Sequence, residues 1–185
     1  MQGMMLSRLF GSDTKLKDIA SDLYGVIVAR ARTPVLYLDL GVPDTTAGRF
    51  EMVVLHLIVV TDRLDRGSER ERNIGQRLFE VFCTDMDETL REFGVSDVAM
   101  GKRMKGMTLG FYGRKDAYLG ALALDDRDEM ARALGRNIQP DQDRAAEPAL
   151  SVYVFEFASQ VAEVGEGKFE TGQSGLADTG TGVAR

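Results

Sequence analysis

Residues 68–94 read Ser68-Glu69-Arg70-Glu71-Arg72-Asn73-Ile74-Gly75-Gln76-Arg77-Leu78-Phe79-Glu80-Val81-Phe82-Cys83-Thr84-Asp85-Met86-Asp87-Glu88-Thr89-Leu90-Arg91-Glu92-Phe93-Gly94, and this stretch decides the fold class. Ser68 followed three residues later by Glu71 is a capping box: the serine side chain accepts a backbone N–H of the first turn, and the glutamate reaches back to the serine N–H. Ile74, Leu78, Val81, Phe82, Met86, Leu90 and Phe93 then recur at spacings of three and four. That period places them on one face of a long helix, which Gly94 ends.

Upstream, Gly67 stops another element, which Asp44 or Thr45 can cap. Phe50, Val53, Val54, Leu57, Ile58 and Leu64 make one face of it, and Met52, Leu55, Val59 and Val60 make the other faces apolar too. A helix apolar on all sides belongs at the centre of a core. The β-branched run from Val53 to Val60 also suits a buried strand, but the charged continuation Asp62 to Arg66 extends the pattern past ordinary strand length. Further upstream, Asp13 can cap a helix to about Arg32, with Leu16, Ile19, Leu23, Ile27 and Ala31 as its stripe. Pro34 ends it, since the residue before proline disfavours helical angles. A short segment, Val35 to Leu40, and a loop with Gly41 and Pro43 follow.

Downstream, Ser96 opens a glycine-rich stretch to about Leu124. Asp125 or Asp126 caps a shorter helix through Leu134, with Gly135 and Pro140 around its end. Pro148 starts a last helix carrying Leu150, Tyr153, Val154, Phe157, Val161 and Val164, with a strand over Val152 to Phe157 as the alternative. From Gly165 to Arg185 the composition turns to Gly, Thr and Ser. The expectation is an all-α, single compact domain of about six helices over residues 1–164, and a disordered tail over 165–185.

Composition narrows the function. The net charge of −6 argues against a general nucleic-acid binder and against specific DNA binding. A single cysteine, Cys83, allows no internal disulfide; its helical neighbourhood reads as a core or half-buried thiol in a reducing compartment. No secretory signal or clear transit peptide is expected from the first residues, and Leu6, Leu9 and Phe10 beside Arg8 read as a helix-docking tip, with contact to a membrane surface as the alternative. The most apolar run, Met52 to Val60, is interrupted by His56 and is too short to span a membrane. His56 is the only histidine, so sites that need two are excluded, and its apolar setting predicts a satisfied core or interface residue. Asp85, Asp87 and Glu88 read as a solvated face, and Asp125, Asp126, Asp128 and Glu129 as a helix start. No catalytic, cofactor-binding or metal-ligating set emerges. An enzyme built on His56, or on Asp85 and Asp87, is the rival, and it requires a concave polar pocket around those residues.

Three blocks carry a resemblance. The first is Gly41-Val42-Pro43-Asp44-Thr45, with Gly48-Arg49-Phe50-Glu51-Met52 and Leu55-His56-Leu57 behind it. The second is Asp85-Met86-Asp87 with Leu90-Arg91-Glu92-Phe93-Gly94-Val95. The third is Lys102, Met104-Lys105, Met107 and Phe111-Tyr112-Gly113-Arg114, with Ala117-Tyr118. In order and spacing, from about Leu6 to Leu124, they resemble the ubiquinol–cytochrome c chaperone family. The resemblance implies a helical, non-catalytic assembly factor that binds newly made cytochrome b, as nascent chain or assembly intermediate, for respiratory complex III. Mitochondrial relatives work with a small partner protein near the ribosome exit. A ribosome-associated adaptor or a structural subunit is the alternative. A cytoplasmic location fits, with peripheral contact to the inner membrane.

One segment offers a binding surface on physical grounds. Ser96 to Tyr118 holds five cations and two anions, so it carries +3 and leaves −9 for the rest of a −6 chain. Met100, Met104, Met107 and Phe111 recur at helical spacing, and flexible methionines suit varied apolar partners. Gly106 and Gly110 would let another backbone approach. Five glycines in the stretch, each costing about 1 kcal/mol in a helix, predict either a packing need or helix breaks. The expected partner surface is Met100, Lys102, Lys105, Met107, Phe111, Tyr112 and Arg114; the competing reading is a core stripe with a solvated basic back.

Overall fold

A computed structural model of the chain describes residues 3–138, 146, 148–165, 167–171 and 175–176, with side chains from residue 14 onward. The helices in chain order are α1 (Gly3–Ala31), α2 (Pro34–Leu38), α3 (Thr46–Asp65), α4 (Glu69–Glu92), α5 (Asp97–Ala123), α6 (Arg127–Ile138) and α7 (Pro148–Ala162). Among the described residues six helices are long, α2 is a single short turn, a 3-10 turn covers Phe169–Thr171, and no strand forms. The all-α expectation holds.

The strand alternatives for the two β-branched runs lose to burial. Val54, Leu57, Ile58, Val59 and Val60 are all within 4% of full burial on α3. Each such side chain contributes roughly 1.5–3 kcal/mol, against a helix-propensity penalty of well under 1 kcal/mol. Thr45 is the cap: its backbone is extended and its hydroxyl oxygen accepts the Gly48 N–H at 3.1 Å. Asp44 instead accepts a hydrogen bond from Arg49 Nε at 2.6 Å. A Cβ at Gly48 would run into the Pro43 carbonyl, so the loop can fold back onto the first turn of α3 only with glycine there. The central helix then packs against α1, α4, α5, α6 and α7; α1 lies along α4, and α6 bridges α5 and α7.

Several boundaries differ from the expectation. The first helix runs back to Gly3, so Asp13 lies inside it; the side chains of Leu6, Leu9 and Phe10, read as a docking tip, lie outside the described ones. Pro34 separates α1 from a further helical turn, α2, because its fixed φ suits a first helical position. The glycine-rich stretch is one unbroken helix, α5. Asp126, not Asp125, starts α6, accepting the Glu129 N–H at 2.8 Å, while Asp125 takes a positive φ of 51° in the preceding turn. Gly135 is buried within α6, which continues to Ile138. Pro140 lies outside the described residues. Val152 to Phe157 are helical within α7.

The composition change at Gly165 is not the edge of the packed region. Phe169 is 1% exposed and Leu176 is 3% exposed, both against the core. Two large apolar residues among Gly, Ser and Thr are diluted in a compositional average, yet each fills a site. The anchor is Glu71, which has no exposed surface. Its carboxylate closes the capping box by accepting Ser68 N–H at 3.2 Å, and it also accepts from Arg63 Nη1 at 3.2 Å and Gly167 N–H at 3.3 Å. A buried carboxylate short of donors would be costly, so three elements are held to one group. The Arg63 guanidinium stands 5.6 Å over the Phe169 ring, and the Ser68 hydroxyl donates to Glu170 at 2.8 Å. Residues 166, 172–174 and 177–185, where the rest of the tail expectation falls, lie outside the described residues. Phe169→Ala should lower unfolding free energy by about 3 kcal/mol in a urea titration; an unchanged midpoint would mean the segment only rests on the surface.

Candidate functional site: an apolar groove under α5

Five glycines cost α5 about 5 kcal/mol relative to alanine, yet it stays helical. Its second half is held by burial of Phe111, Tyr118 and Ala121 and by two ion pairs to α3. Lys115 reaches Asp65 at 2.9 Å. Arg114 makes a two-pronged pair with Glu51, Nε to Oε2 at 2.7 Å and Nη2 to Oε1 at 2.6 Å, while its Nη1 donates to the Gly110 carbonyl at 3.0 Å. Burial pushes the Glu51 carboxyl above its usual range, and the guanidinium opposes that shift. The partner in turn holds the Arg114 pKa up.

The first half of α5 stands over a groove of about 590 Å³. Phe50 and Val54 of α3, Phe82 of α4 and Phe111 of α5 make its apolar floor; Lys102 and Arg103 stand at its rim, and Met107 and Arg114 complete the α5 side. The rings support one another: Phe50 stacks on Phe82 at 6.4 Å between centroids, Phe82 meets Phe111 at 6.1 Å, and Phe111 meets Phe79 at 4.9 Å. Gly106 and Gly110 line the same groove. Among the described residues no neighbouring element approaches them: a Cβ on Gly106 would meet nothing within 4 Å, and one on Gly110 only the Arg114 side chain. The glycines leave bare helix backbone along the groove, whose floor is nearly buried at Val54, Phe82 and Phe111 and half-buried at Phe50.

The structure divides the expected partner residues. Lys102, Met107, Phe111 and Arg114 line the groove together. Met100 is buried at 6% exposure and is not part of the lining. Lys105 is exposed outside the groove lining. Tyr112 is 51% exposed, with its ring 6.2 Å from Phe79. Arg114 is not the free rim cation that charge counting suggests, since its Glu51 partner is distant in sequence. Phe50, Val54 and Phe82 were not foreseen as lining residues, because a floor residue has the same periodic signature as any core residue.

His56 has no exposed surface. Its Nδ1 is 2.6 Å from the Met52 carbonyl, which can only accept, so Nδ1 carries the proton and Nε2 accepts from the Tyr153 hydroxyl at 2.7 Å. Burial holds its pKa down, to about 4, with the charge of Arg30 acting the same way. This is the satisfied core histidine expected. Asp85 and Asp87 are not brought to it. Asp85 accepts from the Tyr24 hydroxyl at 2.7 Å and, with Lys17, Arg77 and Glu88, lines a cleft of about 510 Å³ between α1 and α4; Asp87 pairs with Arg91 at 2.7 Å. Cys83 is half-buried, and burial, then the Glu80 charge, raises its pKa. Among the described residues no cluster of three metal-ligating side chains occurs and no helix is long and apolar enough to cross a membrane.

The chain is thus a helical domain with an open groove beside α5 and Lys102 and Arg103 at its edge, and comparison with known proteins gives its family. The ubiquinol–cytochrome C chaperone family model matches residues 38–175, and the chain belongs to that family. The crystal structure of the Cbp3 homolog from Brucella abortus superposes with a TM-score of 0.80 at 33% sequence identity, covering 93% of this chain and 94% of that one. No curated protein matches the chain.

Two measurements probe this site and the buried histidine. Arg114→Met should cost about 3 kcal/mol of stability by stranding Glu51, and Glu51→Met added to it should restore most of that loss, as read by urea unfolding of the full cycle. Because His56 stays neutral in the fold, the unfolded chain takes up a proton below pH 6.5 that the folded chain refuses down to about 4. Stability from this group is therefore complete above pH 6.5 and falls as the pH drops toward 4. Between pH 7 and pH 5 the wild type should lose about 2 kcal/mol more than His56→Gln; equal losses would show that the imidazole is not sealed.

Proposed function

We propose that the chain is a non-catalytic assembly chaperone that holds newly made cytochrome b while respiratory complex III is built, working in the cytoplasm beside the inner membrane. The groove between α5 and the α3–α4 pair is its client surface. The observation that carries this reading is the open, apolar-lined groove beside bare glycine backbone at Gly106 and Gly110. Helices normally pack at axis separations of about 8–10 Å, set by the side chains between them, and glycines on one partner favour the close end of that range. An apolar helix of a client can therefore lie against α5 and bury the exposed parts of Phe50 and Met107, while Lys102 and Arg103 orient an acidic flank. Family membership supports the client class, and 33% identity to the Cbp3 homolog supports the shared shape. Ribosome contact, or help from a small partner protein, would bring the client to the same face.

Gly106→Leu tests the groove with little risk to the fold, because the added side chain points into free space and leucine favours helix over glycine by nearly 1 kcal/mol. In a deletion strain carrying this variant, cytochrome b and complex III should stay as low as with no chaperone, and co-purified cytochrome b should drop at least tenfold while the melting temperature holds or rises. Full restoration by Gly106→Leu would remove the groove as the client surface; normal complex III in the deletion strain itself would remove the function. A chaperone is absent from the mature complex, whereas a structural subunit would co-purify with it.

A further inference from the structure

The groove uses one face of α5, and the adjacent face points away from the protein. Val98, Lys102, Lys105, Leu109 and Tyr112 fall at steps of four, three, four and three, which places them within about 80° of arc around the helix axis. All five are exposed: Val98 is 96%, Leu109 64% and Tyr112 51% accessible, and both lysines are open to solvent. Phe93, in the turn that leads into α5, is 70% accessible. Four of the seven large apolar side chains exposed among the described residues thus lie between residues 93 and 112. Single exposed apolar residues are ordinary, but a line of them along one helix is not.

Charge selects the occupant. Residues 98–112 contain Lys102, Arg103 and Lys105 and no acid, a charge of +3 in a chain of −6 that leaves −9 elsewhere. No ion pair among the described residues engages these three cations. Asp97, just before the stripe, pairs with Arg91, and Asp116 bounds it beyond Tyr112. Repulsion by the acidic remainder turns this face toward an anionic surface. A nucleic acid would meet the cations but would gain nothing from burying Val98 and Leu109. A bilayer interface takes both, with apolar side chains at the headgroup boundary and lysines on acidic lipid.

We propose that the outward stripe of α5 docks the protein onto an anionic membrane surface. This leaves the client groove open beside the bilayer, on the neighbouring face of the same helix, with Lys102 at the border of the two. The assignment rests on the exposed stripe, not on the client reading, and the two can fail separately.

The test is flotation of the full chain with vesicles of phosphatidylcholine alone, and of phosphatidylcholine with about one-third phosphatidylglycerol. Binding is expected only to the anionic vesicles, and it should weaken with added salt. Lys105→Glu should reduce it at least fivefold, the loss expected for even one cation at such a surface, and Leu109→Asp should reduce it similarly with helicity unchanged. Gly106→Leu, which blocks the groove, should float like the wild type. No flotation with anionic vesicles, or flotation unaffected by both Lys105→Glu and Leu109→Asp, overturns the proposal. Capture of duplex RNA in place of the vesicles, lost with Lys105→Glu and kept with Leu109→Asp, would assign the face to nucleic acid instead.

Discussion

Met52, Leu55, Leu57, Ile58 and Val60 have no exposed surface, and they point in every direction around the axis of α3. A helix of that kind cannot rest on a single neighbour. Five other helices must surround it, and the positions of α1, α4, α5, α6 and α7 follow from that need. The cost falls on the polar groups the core encloses, His56 among them. His56 is tolerated because the Met52 carbonyl and the Tyr153 hydroxyl engage both ring nitrogens. Tyr153 is held in turn by Arg30, whose guanidinium lies 4.8 Å from the centre of the Phe157 ring and donates to Gln160 at 2.7 Å. One imidazole on α3 therefore links α1 and α7.

The same economy governs the ends of α3 and α4. Glu71 is a capping residue by sequence, but in the fold its carboxylate also gathers Arg63 and the Gly167 N–H. The joint between two central helices and the closing segment share one buried charge. Three further groups are engaged by partners distant in sequence: His56 by Tyr153, Asp85 by Tyr24 and Glu51 by Arg114.

Helix α5 is the exception to close packing. It carries little amphipathic pattern, because different faces along its length meet core, groove and solvent. Its anchorage is concentrated from Phe111 onward, where burial and the Arg114–Glu51 and Lys115–Asp65 pairs offset the glycine cost. Ahead of that point the glycines leave room rather than fill it. The closely approaching backbone that Gly106 and Gly110 suggest is not supplied by the described residues, and this leaves a groove open beside the first half of α5.

What the sequence determined alone is whatever local physics decides. The capping box at Ser68 and Glu71, the all-round apolar character of α3 and the proline signals at Pro34 and Pro148 each act within a few residues and reappear in the fold, as does the helical stripe from Ile74 to Phe93, which is buried at Ile74, Leu78 and Phe82 and leaves Phe93 70% exposed. The family blocks were legible for the same reason, since they are strings of neighbouring residues. Only tertiary structure decided the rest. Whether Phe50 and Phe82 are core or groove floor depends on what stands opposite them, and both have the same period in either case. Arg114 looked like a free cation until folding brought Glu51, sixty-three residues away in sequence, to 2.6 Å. Phe169 and Leu176 sat in a stretch whose composition resembles a tail, and no local term records the cavity they fill. Helix caps and periodicity are short-range energies written into adjacent residues, whereas burial, groove formation and buried pairing are settled by distant residues that meet only once the helices have packed.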